Sequence, residues 1–350
     1  MVYRNMALFK VAEVEAGTSS SSVAVRRFPK DVSRQLGLGH STFGRYVATM
    51  TTGCELRFVV DGDRLAVSLG AVEADGEVLV FKGDFLHSRH PLPAGLVKTI
   101  LLTETEPMKH ANPALLRGGA FSPEVWRILF GHDFTGVFHG IETYGQAIRP
   151  PAPAEVPAVK WLAYGSSITH GAGALLHANS WIMQAAHALG VDVLDKGMGG
   201  SCFCEPEMAD YLAESGARGE WDVATLELGV NMRSQFTPEA FEAHAGLLVR
   251  RIKELNPEKP VVLLTIFPNA CTGDEQTVEG RNEKHFNQVI RELHHRYRND
   301  KVHLIEGSEI LNRSSLLSCD LIHPSPQGHI VMGHNMATRM PEILKTRVRV

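Results

Sequence analysis

Asp320 and His323 stand three residues apart in Asp320-Leu321-Ile322-His323-Pro324. In a turn, that spacing lets the carboxylate reach the imidazole and fix its tautomer, the orienting role that a nucleophilic serine's base requires. A serine for such a base occurs in Gly165-Ser166-Ser167-Ile168-Thr169-His170-Gly171, which follows the apolar run 159–164. A small, sharp turn there would expose a serine at the start of a helix, where backbone N–H groups favour developing negative charge. Two more turns hold candidates for stabilising that charge. Gly197-Met198-Gly199-Gly200 fits a close backbone approach or a positive φ, and Gly229-Val230-Asn231 ends in an amide that donates a hydrogen bond without carrying charge.

These turns need strands to hold them. Apolar runs at 159–164, 191–196, 223–228, 261–267 and 302–306 are short enough for buried parallel strands, and helical patterns lie between them. The clearest helix spans 237–255, with Thr237 as N-cap, Pro238 at the first helical position, and Phe241, Ala245, Leu248, Ile252 and Leu255 on one face. This is a five-stranded βαβ pattern, and sites in such sheets gather at the carboxyl ends of the strands. Upstream, β-type segments at 46–51, 54–60, 64–69, 77–81 and 125–130 recur between turns, with Asp61-Gly62 and Asp75-Gly76 read as hairpins. The expectation is an all-β sandwich or jelly roll over 1–150, a proline-rich linker over 151–158, and an α/β domain over 159–350.

The order Ser, Gly, Asn, then Asp-x-x-His resembles the four blocks of the SGNH (GDSL-like) hydrolases. Gly165-Ser166-Ser167-Ile168-Thr169 is similar to the Gly-Asp-Ser block, 195–200 to the second block, Gly229-Val230-Asn231 to the third and Asp320–His323 to the last. The resemblance covers roughly residues 159–345 and implies a flavodoxin-like three-layer domain. It also implies Ser167 as nucleophile, with Asp320 and His323 completing the triad. The backbone N–H groups of Ser167 and Gly200 and the side chain of Asn231 would form the oxyanion hole. The appended sandwich resembles the two-domain carbohydrate esterases and a few related acyltransferases. Ser166 stands where the family usually has Asp, Asp195 where it often has Asn, and Met232 where Asp commonly follows the third-block Asn.

The implied function is hydrolysis of a small acyl ester, with a carbohydrate O-acetyl group as first expectation. Acyl transfer by the same triad, and glycan binding with an inert hydrolase domain, are the alternatives. No cofactor or metal is expected, because Cys202-Phe203-Cys204 has no second pair at ligand spacing. A formal charge of −4, from 35 basic and 39 acidic residues, gives no nucleic-acid or membrane footprint. With no signal-peptide pattern and five scattered cysteines, the expected compartment is cytoplasmic.

Overall fold

Alternate residues along the strands supply the apolar core of the N-terminal part. Leu56, Phe58 and Val60 on one strand meet Leu65, Val67, Leu69 and Ala71 on the next, and all are buried in one core with Val78, Val80, Trp126, Ile128 and Phe130. The computed structural model describes residues 1–17, 22–37, 42–62 and 64–344. Its chain divides into two compact units, Met1–Lys30 with Ala48–Ala158, and Asp31–Val47 with Val159–Val350.

The first unit is a sandwich of two antiparallel sheets. One runs Val2–Tyr3, Met6–Phe9, Glu55–Val60, Trp126–Phe130, Gly76–Lys82 and Phe85–Leu92, with Ile148–Arg149 also paired to Glu55–Val60. The other runs Glu13–Ala16, Val23–Arg26, Thr135–Glu142, Arg64–Val72 and Val97–Thr103. The expected hairpins at Asp61-Gly62 and Asp75-Gly76 do not form. Each of these turns joins strands of different sheets, so it crosses the sandwich instead of closing a ladder. Segment 46–51, expected as a strand, lies largely in the helix Phe43–Thr49. The expected spacer 151–158 packs with the sandwich unit: Ser122 N donates to the Glu155 carbonyl at 2.9 Å, and Arg149 makes two hydrogen bonds of 2.7 Å to the Glu155 carboxylate.

Glu55 is fully buried in the middle of this unit. Arg127 donates to both its oxygens at 3.0 Å, Arg57 Nε donates at 2.7 Å, and Lys10 Nζ lies 3.6 Å away. Burial alone would raise its carboxyl, but these three cations hold it well below the usual carboxylate range.

The second unit carries five parallel strands, Lys160–Gly165, Asp192–Gly197, Val223–Glu227, Val261–Leu264 and Val302–Ile305. Their spatial order is 2-1-3-4-5, the flavodoxin-like arrangement. The connecting helices are Trp181–Leu189, Pro206–Ala217, Pro238–Leu255 and Val278–Tyr297, and Pro326–Leu344 follows the last strand. Thr237 caps its helix by accepting from Ala240 N at 3.2 Å; Phe241, Ala245, Leu248 and Ile252 are buried as expected, whereas Leu255 at the helix end is exposed. Segment 31–47, expected within the N-terminal domain, belongs with this unit: Gly37 N donates to the Glu205 carboxylate at 2.9 Å.

Replacing Glu55 with Ala strips Lys10, Arg57 and Arg127 of their shared counter-charge. The expected cost is about 3–5 kcal/mol of stability, measured by denaturant unfolding.

Candidate functional site

The first parallel strand ends at Gly165 and the chain turns at once into a single helical turn, Ser167–His170. Ser166 caps it, its Oγ accepting from Ile168 N at 3.2 Å, and Gly171 closes it with a φ of 104°. One turn supplies little axial dipole, so stabilisation of negative charge here depends on individual donors.

The structure separates the two adjacent serines. Ser166 is buried and donates through both N and Oγ, at 2.7 Å each, to Glu227 Oε2. Ser167 is only partly buried, and its Oγ lies 2.7 Å from His323 Nε2. His323 Nδ1 lies 2.7 Å from Asp320 Oδ2. A carboxylate only accepts, so Nδ1 carries the proton, Nε2 accepts, and the Ser167 hydroxyl donates to it. An imidazole so placed can remove that proton as the oxygen attacks an electrophile.

Asp320 also accepts from the backbone N–H groups of Ile322 and His323, each at 3.0 Å. Burial pushes its carboxyl up, but the hydrogen bonds from Ile322 N, the His323 ring and His323 N outweigh it and bring it down to about 2. The turn requires a positive φ of 54° at Leu321, whose carbonyl accepts from Ala270 N at 2.8 Å. The loop after the fourth strand therefore braces the Asp320–His323 turn. That loop is tied down in turn: Arg233 donates to Asn269 Oδ1 at 2.5 Å and Glu283 Oε2 at 2.8 Å, and Asn269 Nδ2 donates to Glu283 at 2.7 Å.

Asn231 stands at the end of the third strand, where its Oδ1 accepts from Cys202 N at 3.1 Å. An N–H can only donate, so this bond fixes which end of the amide is oxygen and makes Nδ2 its donor end. Gly200 has a φ of 66°, and a methyl group on it would stand 3.1 Å from the Phe43 ring. A methyl on Gly199 would come 3.7 Å from Ser167 Cβ, which puts the glycine turn directly beside the serine. Gly173 is as constrained: with φ at 93°, any Cβ would overlap the Pro324 carbonyl next to His323.

His329, His170 and His177 are held inside the fold. His329 lies in the last helix and is buried; its Nδ1 accepts from Trp181 N at 3.1 Å and its Nε2 donates to the Ala172 carbonyl at 2.9 Å. His170 and His177 are buried, the latter 3.6 Å from Asp195. His294, on the helix Val278–Tyr297, lies 3.1 Å from the Val302 carbonyl. Among the described residues no cluster has the makings of a metal site, and no helix is long and apolar enough to cross a membrane.

Sequence reasoning missed Glu227, Arg233 and Glu283. Only Glu227 carried a signal, as a charge within the apolar run 223–228. It is fully buried. Burial raises its carboxyl to about 7 despite hydrogen bonds from Ser166 and Thr169.

Residues 163–331 match the model of the GDSL-like lipase/acylhydrolase family. The C-terminal unit is a GDSL-like lipase/acylhydrolase domain. No curated protein matches the chain. Among solved structures, a salicylyl-acyltransferase from a tetracycline biosynthetic pathway is 16% identical with a TM-score of 0.80, over 99% of this chain and 97% of that one. A family two carbohydrate esterase from Cellvibrio japonicus is 15% identical with a TM-score of 0.64, over 97% and 96%. An acetyl xylan esterase from the rumen bacterium Butyrivibrio proteoclasticus is 12% identical with a TM-score of 0.53, over 84% and 90%. At these identities the likeness is one of fold, and it extends over both the sandwich and the parallel-sheet unit.

Folded Glu227 holds its proton to about pH 7, whereas an unfolded glutamate releases it near 4.5. Its contribution to stability is therefore fully present below pH 4.5 and is lost as pH rises through 7, by about 3 kcal/mol. Urea unfolding of wild type and Glu227→Gln at pH 4.5 and 7.5 should show the wild type losing that much relative to the variant.

Proposed function

We propose that the protein is a serine esterase that cleaves a small acyl ester through an acyl-enzyme. The observation that carries this reading is the unbroken line from Asp320 through His323 to the Ser167 hydroxyl, with 2.7 Å at both links. His323 takes the proton as Ser167 attacks the ester carbonyl, and Asp320, ionised down to about pH 2, stabilises the imidazolium. The oxyanion is held by the N–H groups of Ser167 and Gly200 and by Asn231 Nδ2. Loss of one such donor typically costs about 100–1,000-fold in rate. Protonated His323 then releases the alcohol, and water, deprotonated by the same ring, frees the acid.

The first substrate class is an acetyl ester on a carbohydrate, supported by the fold shared with the carbohydrate esterase and the acetyl xylan esterase. The second reading, transfer of the acyl group to an alcohol or amine, is supported by the equally complete match to an acyltransferase. Half-exposed Phe43 beside Gly200, with Tyr46 at 6.0 Å from it, gives that side of the site an apolar wall suited to an organic acceptor. The five cysteines, all free thiols, suit the cytoplasm.

Ser167→Ala is expected to abolish fluorophosphonate labelling and to lower kcat at least about 1,000-fold, while Ser166→Ala still labels. Labelling that persists in Ser167→Ala and vanishes in Ser166→Ala would sink the assignment. A hydrolysis panel of acetylated sugars against longer aryl esters, with and without alcohol acceptors, separates hydrolysis from transfer.

A further inference from the structure

Every hydrogen bond that reaches the Glu227 side chain comes from a residue flanking Ser167. Oε2 accepts from Ser166 N and Ser166 Oγ at 2.7 Å and from Thr169 Oγ1 at 3.1 Å. Ser166 Oγ accepts in turn from Ile168 N, so the carboxyl and its partners enclose Ser167 on both sides in sequence without touching its hydroxyl. Gly165 yields the space for this: a methyl there would stand 2.6 Å from Glu227 Oε2. On its other side, the Glu227 carbonyl accepts from the Cys202 thiol at 3.8 Å, and Cys202 N donates to Asn231.

A purely structural role explains this arrangement poorly. Glu227 is wholly buried, its donors are two hydroxyls and an amide, and Oε1 has no hydrogen-bond partner among the described residues. An apolar residue at the end of a buried strand would avoid that desolvation, so a carboxyl retained there points to work at the site. Glu227 brings a carboxyl to Ser166 from the neighbouring strand of the same sheet.

We infer that Glu227 is a positioning residue, which acts through Ser166 and Thr169 to fix the turn that presents the Ser167 hydroxyl to His323. The inference rests on Ser167 being the nucleophile. Hydrogen bonding, not charge, is the working feature, because the amide of glutamine can accept the same bonds.

The test compares wild type, Ser166→Ala, Glu227→Ala and Glu227→Gln in fluorophosphonate labelling rate and in kcat and KM for an aryl acetate. Misplacing a nucleophile affects the reacting state more than substrate binding. Ser166→Ala should lower kcat and labelling about tenfold with KM changed less than twofold. Glu227→Ala should fall further, and Glu227→Gln should stay within threefold of wild type. If Glu227→Ala fails to fold, Ser166→Ala decides, since it removes only the connecting hydroxyl. A Ser166→Ala protein within threefold of wild type in both readouts overturns the inference, as does a Glu227→Gln protein no better than Glu227→Ala. A wild type that takes up no label overturns the esterase reading and this inference with it.

Discussion

The hydrogen bond between Ser167 and His323 joins positions 156 residues apart, and the rest of the C-terminal unit is arranged so that it can form. Ser167 follows the first strand, near the middle of the sheet, while His323 follows the fifth, at its edge. Three strand spacings separate them, about 14 Å. The chain beyond the fifth strand must therefore travel back across the carboxyl edge before it can present an imidazole. Close backbone approaches secure the return: Gly173 against the Pro324 carbonyl, His329 bonded to the Ala172 carbonyl, and Ala270 N bonded to the Leu321 carbonyl. Each ties the chain within three residues of His323 or of the short helix that carries Ser167.

Two carboxyls near the Ser167–His323 pair stand under opposite conditions. Asp320 is half exposed and collects two backbone N–H groups and an imidazole, so it stays ionised and can support a cationic ring. Glu227 is sealed from water and meets only neutral donors, so its proton is retained to near neutrality. The contrast comes from solvation and partners, since the two side chains are chemically alike. Beside them, the Asn231 amide is oriented by a backbone donor, Cys202 N.

Segment 31–47 changes the division of labour along the chain. Encoded among sandwich strands, it packs with the parallel-sheet unit, where Gly37 meets Glu205 and Phe43 lies against Gly200. Burial raises the Glu205 carboxyl, and the Gly37 N–H offsets part of that cost. Residues distant in sequence from the four motif blocks thereby line the glycine turn.

Local patterns already determined much of this protein. The five apolar runs became the five parallel strands, Thr237 capped its helix, and Ser167, Gly200 and Asn231 fell within a few residues of strand ends, because periodicity and turn chemistry act over a few residues; Asp320 and His323 lie well beyond the fifth strand, after a further helix. The Asp-Gly turns misled for the same reason. A reversal looks alike whether it closes a ladder or crosses a sandwich, and only the partners of its strands distinguish the two. Which serine faces His323 was also beyond local reading, since the deciding partner of Ser166 lies 61 residues away. Short-range patterning set the elements and the residue types near their ends, whereas packing settled which side chains meet and which carboxyl keeps its proton, because burial and long-range hydrogen bonds exist only once the strands are side by side.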